Sequence, residues 1–102
     1  MADIFFSDGK LWFRGDLEVL DASAYKEFDS LESLVLEMGE LDVPDGAALS
    51  QFVRWIKDQL ASGRTLQLIE PPQLLVHNLY RVNCYPHAGL QVVDMRQEEA
   101  YG

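Results

Sequence analysis

The stretch from Ser33 to Glu70 constrains the fold more than any other part of the chain. Leu34, Val35, Leu36 and Met38 form a short apolar run, which predicts a strand over Ser33 to Leu41 that is buried on both faces. The run stops at Asp42-Val43-Pro44-Asp45-Gly46. Beyond this turn Leu49, Phe52, Val53, Ile56 and Leu60 recur at steps of three and four. That is the period of a helix with one buried stripe, and Ser62-Gly63 supplies its stop. From Thr65 to Glu70, Leu66 and Leu68 alternate with polar neighbours as a strand does. A strand, a helix and a strand in succession imply a right-handed crossover between neighbouring strands and hence a largely parallel or mixed sheet.

The flanking segments extend this pattern. Asp8-Gly9 lies between the apolar stretches Ile4 to Ser7 and Lys10 to Arg14, a strong hairpin signal. Leu20, Ala24, Tyr25 and Phe28 are spaced for a short helix, with Asp21 or Ser23 as its cap. Pro71-Pro72 opens a further helix whose stripe is Leu75, Leu79 and Val82. Leu90 to Val93 reads as a last strand, and the acidic tail 98–102 is expected to fray. The order is β-β-α-β-α-β-α-β. It predicts one α/β domain over residues 1–97, with a mixed sheet of about five strands and three or more helices packed on it.

Composition narrows the partners. The 102 residues carry 8 Lys and Arg against 17 Asp and Glu, a net charge of −9, with 48% hydrophobic residues. A chain of this size and apolar content can build one core, burying somewhat over ~60% of the surface its unfolded form exposes. Neutralising phosphates needs clustered Lys and Arg. The eight here are scattered among acids, so nucleic acid and anionic membrane surfaces are not expected partners. Cys84 is the lone cysteine, which leaves no intramolecular disulfide and no thiolate zinc cluster. No apolar run approaches the roughly 18 residues of a membrane span, so no direct membrane insertion is expected. The first residues do not resemble a secretory signal, and a cytoplasmic protein is expected.

Catalysis needs convergent groups, and the sequence offers few. His77 and His87 are ten residues apart and match no local ligand spacing on a helix face. Cys84 reads as a small buried hydrophobe. No Gly-rich phosphate loop is present. Trp12 falls on the opposite strand face from Leu11 and Phe13, and Trp55 borders a helical stripe. Each is either core or a contact residue. Asp45 is placed to cap the helix that follows by accepting hydrogen bonds from Ala47 or Ala48, and its charge suits the helix dipole. Capping alone and capping combined with partner recognition both fit. No enzyme activity, metal or cofactor is expected.

At this point the sequence resembles the STAS domain, the fold of bacterial anti-sigma-factor antagonists, over about residues 3 to 94. Gly15-Asp16-Leu17 ahead of Asp21-Ala22-Ser23-Ala24 is similar to the family's Gly-Glu-Leu-Asp segment. Leu34 to Met38 matches its central strand, and Gly63-Arg64-Thr65-Leu66-Gln67-Leu68 matches the approach to its fourth strand. In the family, the loop before the second helix carries a Ser or Thr that a partner kinase phosphorylates. Aligned on Gly46, that position is Asp45, which cannot be phosphorylated as Ser or Thr. Its fixed single charge is at best a partial mimic of a phosphoserine, which carries roughly −1.5 to −2.

The resemblance implies a non-enzymatic protein–protein interaction module of bacterial signalling or transcription regulation. Asp16, Asp42, Asp45, Gly46 and Arg54 would meet the partner, which could be an anti-sigma factor with serine kinase activity. Two alternatives stand beside it. One is a small cytoplasmic regulatory STAS subunit that binds the ATPase of an ABC-type lipid or anion transporter. The other is a small-molecule-binding α/β domain, in which Asp42 and Asp45 could form a carboxylate pair.

Overall fold

The computed structural model describes residues 3–18, 32–43 and 46–96. The chain first reverses at Asp8 and Gly9, whose φ angles are 55° and 75°. Positive φ at both central residues gives a two-residue turn whose twist suits a hairpin. The turn joins β1 (Asp3–Ser7) to β2 (Lys10–Asp16) in antiparallel register. There follow β3 (Ser33–Asp42), α1 (Ala47–Ala61), β4 (Thr65–Ile69), α2 (Gln73–Arg81) and β5 (Leu90–Val93). The α/β class and the mixed five-stranded sheet agree with the sequence pattern. Two helices are found among the described residues. The helix expected from about Leu20 to Phe28 and the tail 98–102 lie outside them.

The sheet order is β1-β2-β3-β4-β5, with every pair after the hairpin parallel. Each parallel strand is therefore laid beside the one before it, always stepping in the same direction. Right-handed connections in such a sheet all fall on one face. In agreement, α1 and α2 share a single core with Leu11 and Phe13 of β2, Leu34 and Leu36 of β3, Leu66 and Leu68 of β4, and Leu90 of β5. Phe13 meets Phe52 of α1 edge to face, with 5.5 Å between ring centroids. This corrects the expectation that β3 is buried on both faces. Leu34, Leu36 and Met38 are buried, whereas Val35, Glu37 and Gly39 between them are only half-buried, because both described helices pack on the other side.

Between the pairs Trp12–Glu37 and Arg14–Glu40, β3 holds one residue more than β2. On its other edge β3 outruns β4, whose last pair is Glu37–Ile69, so the carbonyls beyond it need other donors. Arg96 supplies two of them. Its Nη1 donates to Leu41 O at 2.8 Å, its Nη2 donates to Met38 O and Glu70 O, and its backbone N–H donates to Pro71 O.

Both helices end by the same device. After α1, Gly63 at φ 86° donates to Leu60 O, and Arg64 donates to Gln59 O. After α2, Asn83 at φ 62° donates to Tyr80 O, and Cys84 donates to Leu79 O. These paired bonds are those of a Schellman motif. The second one sets aside the expected Leu75-Leu79-Val82 stripe. Val82 is the C-cap and 40% exposed, and Val76, at 8%, is buried beside Leu75 and Leu79 instead. Cys84 swings back under the helix end and is buried, as a small hydrophobe would be.

Phe52 is fully buried at the centre of this packing. Phe52→Ala is expected to destabilise the fold by about 3–5 kcal/mol, measured by urea denaturation. A Cβ on Gly63 would meet nothing within 4 Å, so Gly63→Ala should cost only the backbone conformation, about 1 kcal/mol.

Candidate protein-binding surface

Asp16 ends β2 and Asp42 ends β3, and the parallel register sets them opposite each other. Both are exposed. Leu17 N–H donates to Asp42 O at 2.8 Å, which holds the two strand ends together as the chains diverge. Two carboxylates thus share the C-terminal end of the sheet, although 26 residues separate them in sequence. The Asp42–Asp45 pair considered from the sequence includes a residue, Asp45, that lies outside the described ones.

Gly46 follows Asp42 by four residues and is exposed, at φ 124° and ψ −147°. It occupies the N-cap position of α1, where it offers no side chain to cap the helix. This corrects the expected cap at Asp45: the helix starts one residue later, because the chain enters it through a conformation open mainly to glycine. The first backbone bond of α1 runs from Ser50 N–H to Gly46 O at 3.0 Å. A Cβ on Gly46 would meet nothing within 4 Å, so the residue leaves open space at the start of α1.

Arg54 does not join this cluster. It is exposed on α1, eight residues beyond Gly46 and about 12 Å along the helix axis. There it borders a groove between the two helices that Lys57, Asn78 and Val82 also line. Of the five contact residues expected from the sequence, Asp16 and Asp42 therefore meet at one end of the sheet, Gly46 opens α1, Arg54 faces a groove, and Asp45 lies outside the described residues.

The remaining candidates resolve individually. Trp55 is buried beside Phe52 in the core. Trp12 is half-buried on the sheet face away from the helices, where its ring lies parallel to Phe5 at 6.3 Å. The Arg14 guanidinium lies 5.2 Å from the Phe5 ring centre and pairs with Glu40 at 2.6 Å. Lys10 lies 5.9 Å from the Trp12 ring centre and pairs with Glu37 at 3.8 Å. His77 is exposed on α2, and His87 Nδ1 accepts a hydrogen bond from Gly89 N–H at 2.9 Å within its own turn. Among the described residues, no three His, Cys, Asp or Glu side chains gather as a metal-holding group. No helix among them is long and apolar enough to cross a membrane.

The aromatic pair and the groove escaped the sequence reading for different reasons. The strand alternation around Asp8-Gly9 already sets Phe5 opposite Trp12, so that signal was present. The groove needs a second wall from α2, which no local pattern around Arg54 announces. No family model matches the chain, and no curated protein matches it.

Like charges directly opposite each other on neighbouring strands are mutually destabilising. Asp42→Asn is therefore expected to stabilise the fold by about 0.2–0.5 kcal/mol at low ionic strength. The gain should shrink in 0.5 M NaCl on the order of full screening over the pair distance, as compared by urea titrations with and without salt.

Proposed function

We propose that this chain is a non-enzymatic STAS-like protein–protein interaction module of bacterial signalling or transcription regulation, similar to an anti-sigma-factor antagonist and acting in the cytoplasm. The observation that carries this reading is the meeting of Asp16 and Asp42 at one end of the sheet, with Asp42 four residues ahead of the Gly46 that opens α1. A hairpin followed by parallel strands in chain order supports it as well.

Exposed carboxylates act on binding mainly through long-range attraction and orientation. An acidic rim favours a partner that presents Arg or Lys to it. In the sequence Asp45, with a fixed charge, follows Asp42 by three residues, where a phosphorylatable hydroxyl would have allowed two states. The surface is then always charged, and the module binds constitutively instead of being switched.

Titration calorimetry with a kinase-type anti-sigma factor tests this. One partner per chain is expected to bind, with no phosphate incorporated from labelled ATP, and Asp42→Lys should weaken binding by about tenfold or more. Asp45→Ser should accept phosphate where the natural sequence does not. Absence of binding by the natural chain, or equal binding after Asp42→Lys, refutes the proposal.

A further inference from the structure

The basic residues divide sharply by position. From Gly46 to Val93 the chain carries Arg54, Lys57, Arg64 and Arg81 against only Asp58 and Glu70, a positive balance inside a molecule of net charge −9. They also differ in what holds them. Lys10 and Arg14 are taken up by Glu37, Glu40 and the aromatic rings. Arg64 bonds to Gln59 Oε1, and Arg96 bonds to backbone carbonyls. Among the described residues, Arg54 and Lys57 enter no ion pair. Both are exposed on the solvent side of α1.

Arg54 and Lys57 stand along a groove of about 470 Å³ between α1 and α2, and Asp58 on the same lining leaves it two cations to one carboxylate. Leu49 and Val53 form its floor, and the exposed Val82 forms its far wall. The volume lies within the range of sites that hold a few apolar groups. On α1 the lining runs from Leu49 to Asp58, about 13 Å or two and a half helical turns. Helix walls have no free backbone edge on which an extended peptide could add a strand, so recognition here works through side chains, as in the seating of an amphipathic helix.

From these features we infer that the groove between α1 and α2 docks an acidic amphipathic helix of a partner protein. Its apolar residues would seat over Leu49, Val53 and Val82, and its carboxylates would meet Arg54 and Lys57. This surface is separate from the acidic rim and of opposite sign, and the inference does not depend on the STAS-like reading.

Selection from a displayed random library of 16-residue peptides against the full chain tests it. The enriched peptides are expected to carry Asp or Glu with apolar residues at spacings of three and four. In ¹⁵N spectra they should shift the amides of Ser50, Arg54, Lys57, Asn78 and Val82. Their affinity should fall by about tenfold or more for the double variant Arg54→Glu, Lys57→Glu, and should be kept by Asp42→Lys. An unchanged thermal midpoint of the double variant would show that it remains folded. Enrichment of neutral or basic peptides, no enrichment, or equal binding by the double variant overturns the inference. Loss of binding in Asp42→Lys alone would move the site to the acidic rim. A dimer in sedimentation that the double variant dissolves would replace the partner helix with a second copy of the chain.

Discussion

Right-handed connection of strands laid down in chain order is the constraint on which the rest of this molecule depends. It puts both described helices on one face of the sheet and gathers the large apolar side chains there, with Phe13 and Phe52 in contact across the layers. It also leaves Trp12, Val35, Glu37, Gln67 and Ile69 half-buried on the other face. A doubly wound sheet reverses its strand order and opens a crevice at the reversal, where ligands bind. Here the order β1 to β5 never reverses. The surfaces available for recognition are therefore the strand ends, the helix grooves and the half-covered face.

Features set by local chemistry were legible in the sequence. The Asp8-Gly9 turn follows from the backbone freedom of two residues, and the α1 stripe follows from periodicity alone: Leu49, Phe52, Val53, Ile56 and Leu60 are all buried. What escaped depends on partners distant in the chain. Val35 reads as core within its apolar run, yet its exposure is decided by which face the helices cover. Val82 continues the period of α2, yet the turn at Asn83 ends the helix before it. Asp16 and Asp42 became neighbours through a register that the β3 bulge shifts by one residue, and nothing near either of them encodes that shift.

The acidity of the chain likewise acquires structure. Asp16 and Asp42 crowd one end of the sheet, Glu37 and Glu40 hold Lys10 and Arg14 against the aromatic pair, and the helical layer keeps a positive balance. Net charge describes how the molecule behaves in bulk, whereas its division into regions of opposite sign determines how it orients toward another molecule.

The Arg96 bonds to the end of β3 bear on how the fold is made. Every strand pairs with the one that precedes it, so a chain leaving the ribosome can add each new strand to an edge already present, with little waiting for distant sequence. The carbonyls of Met38 and Leu41, beyond the end of β4, are the exception. They receive their donor from a residue more than fifty positions later, after β5 is in place. The C-terminal part of β3 is thus completed by a side chain that follows β5 in the chain, and Arg96 works as a latch across the assembled sheet.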